Sequence, residues 1–183
     1  MKETKKLTMS AISVALSVVF MALGAFIEVL DLTSAALSSI VMLFVFIEIR
    51  KPYTYLVWLA SSLLGFVFFP QSFVWVTYFL VFGIYPILKA YIEKLKRPFW
   101  LPVKLLYFNV ASPLMILASE YLLGIPFFSD DLSIPFLEEN TFILKIVIYV
   151  LLNVALIVYD YFLTVMVRFY FSTFRKRIEK ILK

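Results

Sequence analysis

The chain has 183 residues, 63% of them hydrophobic, with a mean hydropathy of +0.98 and a formal net charge of +5. A soluble domain carries nearer about 45–50% apolar residues, and a chain this short cannot hide such an excess in a core of its own. With no Cys and no His, disulfides, thiol nucleophiles, the usual zinc sites and imidazole proton transfer are excluded.

Lipid is the solvent that suits this composition. A single all-α, polytopic membrane domain over residues 1–183 is expected. One crossing needs roughly 20 apolar residues. The first predicted span runs over 7–30, until Asp31-Leu32-Thr33 interrupts it. Its apolar stretch exceeds a signal-peptide core of about 7–15 residues, and no small-x-small cleavage site follows, so it reads as a retained helix. The second predicted span covers 34–49 and stops at Arg50-Lys51-Pro52; the third covers 53–69 and stops at Pro70-Gln71. Both are short for a full crossing. They either recruit flanking residues, sit in a locally thinned bilayer, or form a re-entrant hairpin over 34–69. The fourth runs over 72–92, the fifth over 99–124 and the sixth over 141–167, leaving a basic tail at 168–183.

Charge orients these spans, because Lys and Arg favour cytoplasmic flanks. Lys2, Lys5 and Lys6 precede span one, and Arg50-Lys51 follow span two. Lys89, Lys94, Lys96 and Arg97 close span four, and Arg168, Arg175, Lys176, Arg177, Lys180 and Lys183 follow span six. The other three connections hold no Lys or Arg, and one carries Asp130, Asp131, Glu138 and Glu139. Six crossings with both termini cytoplasmic put every basic cluster on one side. The 125–140 connection, with Pro126 and Pro135, reads either as an interfacial loop or as a lid. The basic tail reads as an extension of span six, bent onto anionic headgroups, and not as a nucleic-acid site.

Ionisable and polar groups inside a span are costly and mark candidate sites. At 100° per residue, Lys145, Tyr149, Asn153, Asp160 and Thr164 share a stripe about 100° wide on span six. Asn109, Pro113 and Glu120 share a stripe on span five. Depth matches suggest an intramembrane pair of Asn109 with Asp160. They also suggest a contact of Lys145 with Glu120 or Glu28 near the outer ends. Either these pairs glue helices together, or Glu120, Lys145, Tyr149, Asn153 and Glu28 border a substrate pocket open to the outside. Lys104 and Glu48 lie near inner ends, where long side chains snorkel. Asp31 reads as a loop or cap residue for span two. Gly83 and Pro86 predict a kink in span four. Trp75 reads as an interfacial anchor or, with Tyr78 and Tyr85, as a stacking platform. Ala11 and Ala15 stand four apart on span one, a spacing that lets another helix approach.

No enzyme is predicted. The chain has only 4 Gly and no phosphate-binding loop, metal-binding helix or close carboxylate pair, so neither cofactor nor metal is expected.

The opening Lys5-Lys6-Leu7-Thr8, followed by Ala11-Ile12-Ser13-Val14-Ala15-Leu16, resembles the first helix of the substrate-binding (S) components of energy-coupling factor (ECF) transporters. That resemblance extends to length and topology. It implies a bundle of six helices in the plasma (inner) membrane of a bacterium, taking up a small water-soluble, vitamin-like nutrient. It implies that Ala11 and Ala15 dock on a coupling transmembrane subunit, itself attached to two ATPases. It also implies an outward-facing ligand site on helices four to six and the first loop. No signature for riboflavin, thiamine, biotin or folate is present, which leaves the ligand open. Two rival readings are a non-transport scaffold of the cell envelope, similar to rod-shape proteins, and a stand-alone ion-coupled carrier using Asp160 and Lys145.

Overall fold

The computed structural model describes residues 3–49, 52–124 and 141–175, apart from the side chains of Glu28, Thr141, Phe142, Leu144, Lys145 and Phe174. Arg50-Lys51, the 125–140 connection with its expected lid or interfacial role, and the tail beyond Arg175 lie outside the described residues. All described elements are helical. They form α1 (Glu3–Phe26), α2 (Asp31–Glu48), α3 (Tyr53–Phe68), α4 (Phe73–Ile92), α5 (Trp100–Leu123) and α6 (Thr141–Phe169, continued by a π turn over Tyr170–Phe174). Five are long and apolar enough to cross a membrane; α3, with 16 residues, falls short. A helix of that length reaches about 24 Å against a hydrocarbon core of about 30 Å.

The break between α1 and α2 falls earlier than the sequence predicts. α1 stops at Phe26, a short 3-10 turn covers Glu28–Leu30, and α2 starts at Asp31. Asp31 therefore occupies the first turn of α2 instead of capping it, and Leu30 is the N-cap residue. A carboxylate there faces the positive end of the helix dipole. The three residues gained bring α2 to 18, enough for a crossing.

α1 and α2 meet through small residues. Ser10, Ser13, Ser17, Met21 and Gly24 form the buried stripe of α1, spaced by three and four as one helix face requires. Ser34 and Ser38 answer from α2. Ser38 Oγ donates to Ser17 O of α1 and to Ser34 O of its own helix, both at 3.0 Å. At Gly24 the approach is tight: an added Cβ would stand 2.9 Å from Ser34 Cβ.

α4 is the inner helix, with 61% of its apolar window buried against 17% for α6. It is not continuous. A π turn spans Tyr78–Phe82, closed by Gly83 N–H donating to Tyr78 O at 2.7 Å, and regular helix resumes at Tyr85. Pro86 supplies no N–H, so a wider turn above it absorbs the missing bond. An added Cβ at Gly83 would come within 2.8 Å of both Trp58 and Tyr78 O, so the break is also a tight packing point. The expected kink is thus present as a π turn and a reset.

Side-chain contacts gather alternate ends at one pole. Tyr53 OH donates to Glu3 at 2.6 Å, joining the starts of α3 and α1. Tyr170 OH donates to Glu48, joining the ends of α6 and α2. The Tyr55 and Tyr91 hydroxyls lie 3.3 Å apart. Glu48 is therefore hydrogen-bonded within the protein and does not simply reach for solvent. Lys5, Lys6, Lys94, Lys96, Arg97 and Arg175 belong to the helix ends and the connection that these contacts join.

Candidate functional site

The described residues hold two polar constellations inside the helices. The first is ionic. Tyr85, Lys89 and Glu93 follow one another at four-residue steps and share one face of α4. Lys104 comes from the start of α5 and Asp160 from α6. Lys89 Nζ lies 2.5 Å from Asp160 Oδ1 and 2.7 Å from Glu93 Oε1. Lys104 Nζ lies 2.9 Å from Asp160 Oδ2 and 2.9 Å from the same Glu93 oxygen. The four groups close a ring of alternating charge with no net charge. Tyr85 OH completes it by donating to Asp160 Oδ1 at 2.6 Å. Lys89 is 3% exposed and Lys104 7%. Ammonium groups this buried are tolerable only when paired. Aromatic rings wall the site: Tyr85 stacks on Tyr107 at 5.7 Å and packs on Phe108 at 4.7 Å.

Two sequence expectations are corrected here. Asp160 does not pair with Asn109, because two ammonium groups and a phenol already serve both of its oxygens. Charge-assisted bonds are roughly twice as strong as neutral ones, so an amide does not compete. Lys104 does not snorkel outward; its stem carries the charge inward to Asp160 and Glu93. Lys89, expected only as a flanking charge, is the most buried cation among the described residues. The missed signal was the four-residue repeat in Tyr85, Lys89 and Glu93, opposite a lone acid on α6.

The second constellation links α5 and α6 further along. Tyr149 OH donates to Asn109 Oδ1 at 2.6 Å. Asn109 Nδ2 donates to Leu105 O at 2.8 Å and to Asn153 Oδ1 at 3.3 Å. Asn153 Nδ2 donates to Tyr149 O at 3.0 Å. Pro113 has no N–H to offer the Asn109 carbonyl, so polarity is concentrated at one level of α5. Asn109 is exposed, and Tyr149 and Asn153 are half-buried. The two predicted stripes do meet, with Asn109 matched to Tyr149 and Asn153. Glu120 is exposed on α5. Its expected contact with Lys145, and that of Lys145 with Glu28, involve side chains outside the described set. This trio offers amide and hydroxyl hydrogen bonds and carries no nucleophile. No group of His, Cys, Asp and Glu suited to a metal occurs among the described residues.

On α1, Ala11 and Ala15 are exposed, while Ser10, Ser13 and Ser17 are buried. Trp75 donates from Nε1 to Pro70 O at 3.2 Å and packs edge-on against Phe66 at 5.0 Å. Tyr78 and Tyr85 are fully buried, Tyr78 hydroxyl to hydroxyl with Ser61 at 2.8 Å. These aromatics are engaged in packing and do not form an open stacking platform. A cavity of about 580 Å³ lies between α2, α4 and α6 beside the ionic ring, and one of about 90 Å³ lies beneath Tyr159.

No protein-family model, characterised protein or solved structure matches this chain. The class the fold defines is an all-helical chain whose long apolar helices are compatible with a multi-pass membrane protein.

Proposed function

We propose that this chain is the membrane-embedded substrate-binding subunit of an uptake system for a small water-soluble nutrient. Partner ATPases energise it through a coupling membrane subunit, in the manner of the S components it resembles. In this reading the six helices form one bundle in the plasma membrane of a bacterium, with both termini cytoplasmic.

The observation that carries the reading is the division of labour on α1. Its serine and glycine face is used internally against α2, whereas Ala11 and Ala15 lie on another face and stay uncovered. Small residues in a span let a neighbouring helix approach closely, and here the neighbour is the coupling subunit. The Asn109, Tyr149 and Asn153 network supplies hydrogen-bonding groups for a polar ligand in lipid-length helices. A scaffold of the cell envelope is the second reading. The ionic ring favours it, since two buried lysines and two part-buried carboxylates tie three helices together. A stand-alone carrier would need Asp160 to exchange a proton or ion, and three donors held on Asp160 weigh against that.

Affinity capture of the tagged full chain from its own membranes tests the docking. The reading expects a membrane subunit and two ATPases to co-purify, and to be lost from Ala11→Trp with Ala15→Trp. Intact capture by a well-folded double variant would sink it.

A further inference from the structure

α1 and α3 run side by side in one direction. Tyr53 OH joins their starts through Glu3. Nearer their ends the Met21 side chain lies against Gly65, with Sδ 3.1 Å from where a Cβ would stand. Between these points the Tyr78 hydroxyl lies 2.8 Å from that of Ser61 and beside Ser17. Ser10, Ser17 and Met21 are spaced by seven and four on the buried face of α1, and Thr54, Ser61 and Gly65 repeat that spacing on α3. Helical periodicity therefore puts Ser10 and Thr54 in one layer, two turns nearer the starts than Ser17 and Ser61. Both are buried, Ser10 at 7% exposed and Thr54 at 0%. Neither hydroxyl has a hydrogen-bond partner among the described residues, the other hydroxyl included.

Helix hydroxyls commonly donate to the carbonyl a turn back, as Ser61, Ser62 and Thr77 do here. Ser10 does not. Thr54 stands in the first turn of α3, directly after Tyr53 and the N-cap Pro52, so no carbonyl of its own helix lies a turn behind it. Two buried hydroxyls left unmet are costly. We propose that one water molecule is bound between Ser10 Oγ and Thr54 Oγ1 and ties the starts of α1 and α3 together. Water can donate to one hydroxyl and accept from the other, and buried waters make about three hydrogen bonds to groups that otherwise lack partners. A small cation does not suit the layer. Among the described residues the buried faces of α1 and α3 carry hydroxyls and no carboxylate, and an uncompensated charge is far more expensive to bury than a neutral polar molecule. The inference does not depend on the nutrient-binding reading, because a scaffold would carry the same site.

Oxygen-17 magnetic relaxation dispersion of the full chain in detergent micelles counts long-lived internal waters and tests it. Thr54→Val nearly keeps the side-chain shape, removes the hydroxyl and should lose one water. Thr54→Ser keeps the hydroxyl and should keep the water. Thr8→Val, at an exposed position whose hydroxyl bonds its own helix, should lose none. Thermal unfolding gives a second readout. Ser10→Ala and Thr54→Val should each lower the midpoint, and the double variant should fall little below the lower single, because the first substitution already releases the water. Hydroxyls with no water between them predict the reverse: each apolar variant raises the midpoint, and the two gains add. An unchanged water count in Thr54→Val, or midpoints that rise additively, would overturn the proposal. Should Thr54→Val fail to fold, Ser10→Ala decides by the same two measurements.

Discussion

Lys89 and Asp160, 71 positions apart in sequence, meet at 2.5 Å and form one side of a closed ring that ties α4, α5 and α6 together. The ring makes the two carboxylates unequal. Asp160 accepts from three donors and its side chain is 20% exposed, whereas Glu93 is 32% exposed. Asp160→Asn should cost about 3 kcal/mol, the lower part of the range for orphaning a buried charge. Glu93→Gln should cost clearly less. Thermal unfolding in a fixed detergent reads the difference, and equal losses would contradict the ring as described.

The tight contact of α1 with α2 at Gly24 makes a second prediction. Gly24→Ala drives a Cβ against Ser34 Cβ at 2.9 Å and Val74 Cγ2 at 3.0 Å, and such overpacking costs about 1–3 kcal/mol. Ser34→Gly removes the nearer obstacle. The double variant should therefore be more stable than Gly24→Ala alone. Simple addition of the two losses would show that α1 and α2 do not touch there.

Topology is open to chemical labelling, because the native chain has no Cys to mask a new one. Pro52→Cys, Gln71→Cys and Lys96→Cys all lie at exposed positions. An impermeant maleimide added to intact cells should label Gln71→Cys, and should reach Pro52→Cys and Lys96→Cys only after the membrane is opened. A re-entrant hairpin over 34–69 would put positions 52 and 71 on one side of the barrier. The Glu3–Tyr53 and Glu48–Tyr170 contacts already set the α2–α3 junction level with the chain's first described residue.

These outcomes separate what the sequence carried from what it did not. Helix number was legible because apolar run length is a local signal. The polar stripes of α5 and α6 were legible because helical periodicity fixes which residues share a face. Partner choice was not. Wheel angle and depth suggested Asn109 for Asp160, but Lys89 and Lys104 sit on long stems that carry charge about a helical turn away from their backbone positions. The start of α2 was misplaced for a similar reason: Asp31 suits a cap and a first turn alike, and only the 3-10 turn at Glu28–Leu30 separates them. The π turn of α4 left no mark beyond Gly83 and Pro86.

The Asn109 network should matter little for stability and much for any ligand. Asn109→Leu removes bonds worth about 0.6 kcal/mol each in membranes, and Asn109 is exposed. A small shift in unfolding temperature is expected; a large one would make the network a structural clasp.

The nutrient-binding claim itself is met most directly by native mass spectrometry of the gently purified full chain, incubated with a panel of water-soluble vitamins. The account predicts one retained polar small molecule, lost from Asn109→Leu and from Tyr149→Phe while the fold persists. Retention of none across the panel, or retention unaffected by either substitution, would contradict it.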